Sequence, residues 1–416
     1  MEKPEVRVPA CRIWTPPESI DLILNDFREI LETGQVILGR WTDEFEAGWA
    51  HYCNRRHGIA VNSDTAAMEI QWKVWKLLNG WNDGDYVVLP ATSFFSCATG
   101  IRNAGLTPVV CDASAEAGIF PTLEQFLEKA EDLNRDDIED EDGVRPKLVA
   151  FLAVYAGGYI GGDIESIIDW CHANGVKVME DAAHCHGATL NGVVAGAFGD
   201  SSAWSFYATK VLNTHEGGML LTDSLEEAEM ARVFRNYGRV SDFGRSLAKY
   251  EGYNWRMSEM HARLGVDQVQ RADDVIARRR ERAGWYDEEM AIRGLFERFG
   301  VQKLAPPDGC VPNYYRYIVM LGERSNEVNV ALREFLKAEC WKHGVQLAGE
   351  VYEATLNCQP IFSDLGVAGD FPMAEAYCAG HVCLPINNDG DAEEVGLVMH
   401  AFEKALMAAQ AAGFLG

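Results

Sequence analysis

Short apolar runs alternate with longer amphipathic stretches over the first half of the chain. The amphipathic stretches carry apolar residues at helical spacing, as in TAAMEIQWKVWKLL, whereas the apolar runs are typical of buried strands. The runs lie at 58–62, 86–90, 107–112, 147–155, 176–180, 201–208 and 217–223. This strand–helix–strand rhythm predicts an α/β fold, with a mainly parallel sheet covered by helices on both faces.

The same pattern predicts where the first helix ends and where the texture of the chain changes. SIDLILNDFREILETG has Ser19 as a candidate N-cap and Gly34 as a stop. Past residue 260, one long charged helix leads into a compact alternation around 313–321 and 394–407. We therefore expect three parts, an N-terminal arm over 1–25, a large α/β domain over 26–270 and a smaller C-terminal α+β domain over 271–416.

Composition and charge narrow the classes of partner. The chain has 416 residues, 48% of them hydrophobic, with 63 acidic against 37 basic residues and a net charge of −26. Such a charge opposes binding to nucleic acid or to anionic membranes. Eleven cysteines without a CxxC pair, a polar opening segment and no long apolar run predict a cytoplasmic protein with reduced thiols.

Two side chains that follow strands suggest chemistry on an organic cofactor. Lys210, in SFYATKVLNTHEGG, lies just past a predicted strand, and a lysine there can act as a nucleophile that forms a Schiff base. Asp181 ends the preceding strand, where a buried carboxylate can pair with a protonated ring nitrogen. Pyridoxal phosphate requires such a partner, because its protonated pyridine is the electron sink of transamination. A lone lysine would be an ordinary surface residue, so the pair carries the prediction.

Two further segments fit the same cofactor. NSDTAAME places Ser63 and Thr65 where a strand gives way to a helix, and helix N-termini bind phosphate. PATSFFS places Phe94 at the next strand end, where its ring could stack on a planar cofactor. Taken alone, the first is an everyday helix cap and the second a core phenylalanine.

The segment EDAAHCHGA is compared with three interpretations: a metal site, structural histidines, and contacts to a cofactor or substrate. His184 and His186 are metal-ligand types, but no third ligand converges on them, so no metal site is predicted. They are either structural histidines or contacts to a cofactor or substrate. Cys185 between them reads as a packed thiol, and HEGG at 215–218 lacks the second histidine of a zinc-protease helix.

Five motifs in order resemble the DegT/DnrJ/EryC1/StrS family of sugar aminotransferases, which use pyridoxal phosphate. They are SDTAAM, VLPATSFFSCATGI, MEDAAHCHGA, SFYATKVLNTHEGG and GYNWRMSEMHARLG, and the likeness covers nearly the whole chain. The resemblance implies the fold-type I architecture of aspartate aminotransferase, a large domain with a mainly parallel seven-stranded sheet between helices and a smaller α+β domain.

The resemblance also implies residue roles. Lys210 would form the Schiff base and shuttle the proton, Asp181 would bind the pyridine nitrogen and Phe94 would stack on the ring. The phosphate would be held by Asp64 and Thr65 through the backbone, by the Ser205 hydroxyl, and by Asn254 of the partner subunit, which implies a homodimer with shared active sites. Two positions depart from the family: Asp64 stands where glycine is usual, and His184 stands where glutamine often bonds the cofactor's ring hydroxyl.

The resemblance therefore predicts an enzyme that moves an amino group from L-glutamate onto a nucleotide-linked keto sugar. Alternatives are a cyclitol ketone as acceptor, a sugar dehydratase of the same family, which has histidine in place of Lys210, and a non-catalytic regulatory protein on the same fold. Substrate contacts are expected from loops 236–254 and 351–362, with Arg239, Arg245 and Lys249 as candidates for a nucleotide's phosphates.

Overall fold

A computed structural model describes residues 6–114, 119–135, 145–240 and 247–415. The helices are α1 Pro17–Thr33, α2 Arg40–Tyr52, α3 Asp64–Asn79, α4 Phe95–Asn103, α5 Leu123–Arg135, α6 Ile164–Ala173, α7 Leu225–Arg235, α8 Glu259–Gln270, α9 Ala272–Ile292, α10 Leu295–Phe299, α11 Asn326–Lys342, α12 Pro372–Ala379 and α13 Ala392–Ala411. The strands are β1 His57–Val61, β2 Tyr86–Pro90, β3 Thr107–Cys111, β4 Leu148–Val154, β5 Lys177–Asp181, β6 Thr189–Leu190, β7 Val193–Val194, β8 Ser201–Ser205, β9 Gly218–Thr222, β10 Gln302–Lys303, β11 Cys310–Val311, β12 Tyr317–Met320 and β13 His381–Leu384.

A seven-stranded sheet forms the centre of the molecule, in the order β1-β9-β8-β5-β4-β2-β3. The strands from β8 to β3 run parallel, and β9 is antiparallel to both of its neighbours. The carboxyl ends of β1, β2, β4, β5 and β8 therefore meet at one edge, where β9 begins. The fold class predicted from the sequence is confirmed.

Side chains along each central strand alternate between two hydrophobic cores. Val88 and Phe151 belong to one core, whereas Leu89 and Leu152 belong to the other. Because successive residues of a strand point to opposite faces, this alternation requires helices on both sides of the sheet. The continuous apolar runs in the sequence reflect this two-sided burial.

A second, three-stranded sheet, β10-β12-β13, lies in the C-terminal part of the chain. It has its own hydrophobic core, to which α9, α11 and α13 contribute Tyr286, Leu336 and Phe402. A small third sheet pairs β11 with the β6–β7 hairpin. The domain boundaries drawn from the sequence stay a prediction.

Two local expectations were wrong. The first helix begins at Pro17 rather than after Ser19, because a proline at the first helical position needs no hydrogen-bond partner for its nitrogen; Gly34 ends this helix as predicted, with φ 72°. The long charged helix is two helices, since the backbone leaves the helical region at Arg271, where φ is −108° and ψ is 7°.

The described helices include none that is both long enough and apolar enough to cross a membrane. The cytoplasmic location that the cysteines suggest stays a prediction. The acidic run at 131–143 lies largely outside the described residues.

Candidate active site

A cavity of about 440 Å³ opens where the carboxyl ends of the central strands meet. Its wall combines side chains that follow β1, β5 and β8 with side chains that precede β12. All the predicted site residues except Asn254 line this cavity: Ser63, Asp64, Thr65, Phe94, Asp181, His184, Ser205 and Lys210. The sequence motifs thus converge in space although they are spread over some 150 residues of chain.

Asp181 is the last residue of β5 and is 5% exposed. Its carboxylate accepts two hydrogen bonds, from the Cys97 thiol at 3.1 Å and from the Ala183 backbone N–H at 3.1 Å. Burial raises the pKa of Asp181, while these two donors and the Lys210 ammonium oppose the rise. The carboxylate is fixed in place and desolvated, which suits it to a cationic ring nitrogen.

Lys210 lies on a turn after β8, where its backbone N–H donates to the Tyr207 carbonyl at 2.9 Å. The side chain is partly buried, and its Nζ lies 5.1 Å from the centre of the Tyr315 ring. A primary amine thus faces a cavity that also contains the Asp181 carboxylate.

His184 is held as a neutral imidazole. The Gly157 backbone N–H points at its Nδ1 at 3.3 Å, and its ring stacks on Tyr315 at 4.0 Å and 17°. Burial, with the neighbouring cations Lys210 and Arg316, lowers the pKa of His184 well below its usual value. Since Nδ1 accepts, the proton must reside on Nε2, which makes that nitrogen a hydrogen-bond donor.

The first turn of α3 forms another part of the cavity wall. Ser63 caps this helix, its hydroxyl accepting from the Ala66 N–H at 3.2 Å. The N–H groups of Asp64 and Thr65 have no partner within the helix, as at every helix N-terminus. Gly218 lets β9 start directly against this turn, because a Cβ at that position would lie 2.2 Å from the Ser63 carbonyl carbon.

Asp64 places a second carboxylate in the cavity wall. It is 9% exposed, and its Oδ1 is buried without a hydrogen-bond partner. Burial and the Asp181 charge raise the pKa of Asp64 well above its usual value, while Lys210 opposes the rise. A carboxylate that stands where glycine is usual would be tolerated beside a phosphate if its side chain pointed into solvent. The structure instead keeps the Asp64 side chain buried in the cavity wall.

The remaining sequence candidates lie elsewhere. Asn254 is exposed and pairs with Asn236 through a single β-bridge. His186 is packed among Trp49, Trp204 and Phe206, and burial lowers its pKa to about 3. Cys185 is fully buried as well.

Of the substrate candidates, Arg239 and Lys249 do not line the cavity, and Arg245 lies outside the described residues. The described part of the chain holds no group of three or more His, Cys, Asp or Glu that could bind a metal ion.

Sequence reasoning missed the contribution of the C-terminal half. Tyr315, Arg316 and Glu350 line the cavity, and so do Val351 and Tyr352 at the start of one predicted substrate loop. The stretch NYYRY reads as the start of a strand, and nothing in its pattern shows that it packs against the cofactor motifs. The sequence gives no sign that Cys97 is more than an ordinary core thiol, yet its thiol donates a hydrogen bond to Asp181.

Comparison with known proteins places these features in context. The family model described as the DegT/DnrJ/EryC1/StrS aminotransferase family matches residues 17–403. The spore coat polysaccharide biosynthesis protein SpsC of Bacillus subtilis is 31% identical over 91% of this chain and 95% of its own length. A dTDP-4-dehydro-2,3,6-trideoxy-D-glucose 4-aminotransferase of Saccharopolyspora spinosa is 30% identical over 92% of this chain and 94% of its own.

A solved structure agrees with the fold. The aminotransferase TlmJ from Streptoalloteichus hindustanus superposes with a TM-score of 0.79 at 26% identity, covering 97% of this chain and all of TlmJ.

Proposed function

Because the chain belongs to the DegT/DnrJ/EryC1/StrS aminotransferase family, we propose that it moves the amino group of L-glutamate onto a nucleotide-linked keto sugar. The observation that carries the proposal is the cavity in which an amine, a buried carboxylate and a helix N-terminus meet, at Lys210, Asp181 and the first turn of α3. The name of the Saccharopolyspora spinosa relative supports a nucleotide-linked acceptor. A cyclitol ketone is the alternative acceptor.

The enzyme uses pyridoxal 5′-phosphate, and the residues of the cavity fit its polar groups. When bound, the cofactor supplies an electron-poor ring that stabilises negative charge on the substrate carbon next to the nitrogen. Asp181 would hold the protonated ring nitrogen. The N–H groups of Asp64 and Thr65, with the hydroxyls of Ser63 and Ser205, would bind the phosphate at the positive end of α3.

The other side chains of the cavity would position the ring and move protons. Phe94 would stack on the ring, and the Nε2–H of His184 would donate to the ring hydroxyl. Lys210 would be the covalent attachment point, and once the donor amine displaces it, its free amine would take and return the proton of the substrate carbon.

The homodimer belongs to the same proposal. Along α1, Ile20, Leu24 and Leu31 follow helical spacing and are 42%, 58% and 64% exposed, which leaves an apolar stripe for a second copy to cover. Asn254 is exposed on the surface rather than in this chain's own cavity, as a residue reaching a partner's phosphate would be.

Product analysis tests the proposal. Purified protein loaded with cofactor is incubated with L-glutamate and a panel of nucleotide-linked keto sugars and cyclitol ketones, and products are identified by mass spectrometry. We expect one nucleotide-linked keto sugar to be converted to its amine with stoichiometric 2-oxoglutarate. Conversion of cyclitol ketones alone would replace the acceptor class, and release of water without amine would indicate the dehydratase.

A further inference from the structure

Arg316 lines the cavity and has no anionic partner among the residues that the structure describes. Its guanidinium carbon lies 4.2 Å from the centre of the Tyr315 ring, and its two terminal nitrogens donate to Tyr315, to the carbonyl at 3.2 Å and the hydroxyl at 3.3 Å. Its Nε is buried without a hydrogen-bond partner. Within the described ranges, no carboxylate lies within 4.0 Å of this guanidinium, since no ion pair includes it.

Three other buried arginines of the molecule have such partners, whereas Arg279 and Arg282 are buried and donate to backbone carbonyl oxygens instead. Arg55 pairs with Asp223 at 2.9 Å, Arg235 with Glu46 at 2.5 Å, and Arg263 with Asp26 at 2.5 Å. A partly buried guanidinium without a counter-charge is unfavourable, and its planar fork matches a carboxylate or a phosphate. The wall of the cavity at Arg316 is therefore shaped for an anion that comes from outside the chain.

The position of Arg316 selects among the anions that enter this site. The cofactor's phosphate is already assigned to the first turn of α3. Lys210 Nζ and the Arg316 guanidinium lie 5.1 Å and 4.2 Å from the centre of the same Tyr315 ring. In the proposed reaction the amino nitrogen of the donor would take the place of Nζ, and the α-carboxylate is attached to the carbon that carries this nitrogen. The diphosphate of a nucleotide sugar is separated from the keto carbon by part of the sugar ring.

We propose that Arg316 binds the α-carboxylate of the amino donor. This inference rests on the proposed function, since it concerns the first substrate of that reaction. It holds for any α-amino acid donor, because every such donor carries this group. Tyr315 holds the guanidinium by stacking and by two hydrogen bonds, so that the fork faces the cavity before the donor arrives.

The experiment compares Arg316→Gln with the wild type and with Arg278→Gln, an exposed arginine of α9 that does not line the cavity. Donor affinity is measured spectroscopically on the cofactor-loaded protein with L-glutamate, with L-isoglutamine, whose α-carboxylate is an amide, and with L-glutamine, whose γ-carboxylate is an amide. We expect Arg316→Gln to weaken the binding of L-glutamate and of L-glutamine by about 10- to 100-fold. The binding of L-isoglutamine should weaken by less than about 3-fold. Arg278→Gln should match the wild type with all three.

The same comparison contains the results that overturn the inference. Arg316 would be assigned to another group by any of three results in Arg316→Gln. These are an equal loss of affinity for both amides, a loss of affinity for L-isoglutamine alone, and unchanged donor affinity with weakened keto-sugar binding. Arg316→Lys, which keeps the charge without the fork, should lose less than Arg316→Gln. A melting temperature and a cofactor spectrum like those of the wild type exclude misfolding as the cause.

A non-reacting donor separates this inference from the proposed function. α-Methyl-L-glutamate lacks the hydrogen that transfer removes, so it reports binding alone through the cofactor spectrum. If the wild type binds this analogue more tightly than Arg316→Gln does but transfers no amine, the proposed function fails and the role of Arg316 stands. If the wild type transfers the amine and both proteins bind the analogue equally, the proposed function stands and the role of Arg316 fails.

Discussion

Asp64 carries a carboxylate at the first position of α3, inside the cavity, where a phosphate is expected. At a helix N-terminus a carboxylate is usually favourable, but this one is desolvated and lies near the Asp181 charge. Because burial raises the pKa of Asp64 in the folded state, the folded protein favours its protonated form. The contribution of Asp64 to stability should therefore be fully present at low pH and be lost as pH rises through that raised pKa.

Asp64→Asn tests this sign. The variant without cofactor should be more stable than the wild type at pH 8, by about 1 to 3 kcal/mol, because an uncompensated buried charge is removed. The gain should be smaller at pH 5 than at pH 8, because the raised pKa of the wild-type carboxyl favours its protonated form as pH falls. Urea unfolding at both pH values measures the difference.

Asp308→Asn, at an exposed position, is the matched control and should change neither value. An equal gain at pH 5 and pH 8 would show that Asp64 does not titrate between them.

Lys210→Ala tests the covalent attachment point. After reduction with borohydride and denaturation, the wild-type chain should retain the mass of the cofactor, whereas the variant should not, because it lacks the amine that joins the aldehyde. Intact-protein mass spectrometry measures this retention. Lys249→Ala removes a lysine that does not line the cavity and should behave as the wild type; retained cofactor in the Lys210 variant would assign the link to another amine.

Among the secondary-structure elements, the junction of α3 with β9 depends on a residue without a side chain. Gly218→Ala should destabilise the fold by about 1 to 3 kcal/mol and weaken cofactor binding, because its Cβ would overlap the backbone at Ser63. Gly284→Ala, in the middle of α9 where a Cβ meets nothing within 4 Å, should instead be neutral or stabilising.

Urea unfolding and cofactor titration of both alanine variants measure these effects. Unaltered cofactor affinity in Gly218→Ala would mean that the first turn of α3 does not bind the phosphate.

The elements also show how far the sequence could be interpreted. Six of the seven buried strands were found within one residue, as at 58–62 against His57–Val61, because burial on both faces leaves an uninterrupted apolar run. The run predicted at 201–208 extends three residues past Ser201–Ser205. The break at Arg271 was missed, because helical spacing continues through it. Tyr315 and Arg316 could not be assigned to the site, since they reach it through packing between distant segments rather than through any local pattern.

For the whole molecule, the proposed homodimer makes a prediction that a single chain cannot satisfy. If each site takes Lys210 from one subunit and Asn254 from the other, Lys210→Ala and Asn254→Ala should each abolish or strongly reduce activity. Mixed dimers of the two variants should regain activity, because one of their sites is then of wild-type composition.

Refolding the variants together and assaying amine formation measures this recovery. Failure to regain activity in verified mixed dimers would place Asn254 outside a shared site.

The apolar stripe of α1 gives a second prediction at this scale. Leu24→Glu combined with Leu31→Glu should yield monomers in sedimentation analysis, because two charges would be buried without partners in the dimer. Glu18→Gln combined with Glu32→Gln, on the same helix, leaves the apolar stripe intact and should preserve the dimer. A dimeric double-glutamate variant would show that another surface joins the subunits.

Tyr315 joins parts of the chain that fold into different sheets. Its ring stacks on His184, which follows β5, while it precedes β12 of the small sheet. A disturbance in the remote core beneath β12 should tilt this ring and with it the imidazole that we propose lies beside the cofactor ring. The visible absorption spectrum of the cofactor-loaded protein should therefore change when packing in the C-terminal region is disturbed, even though that region is remote from the reacting groups.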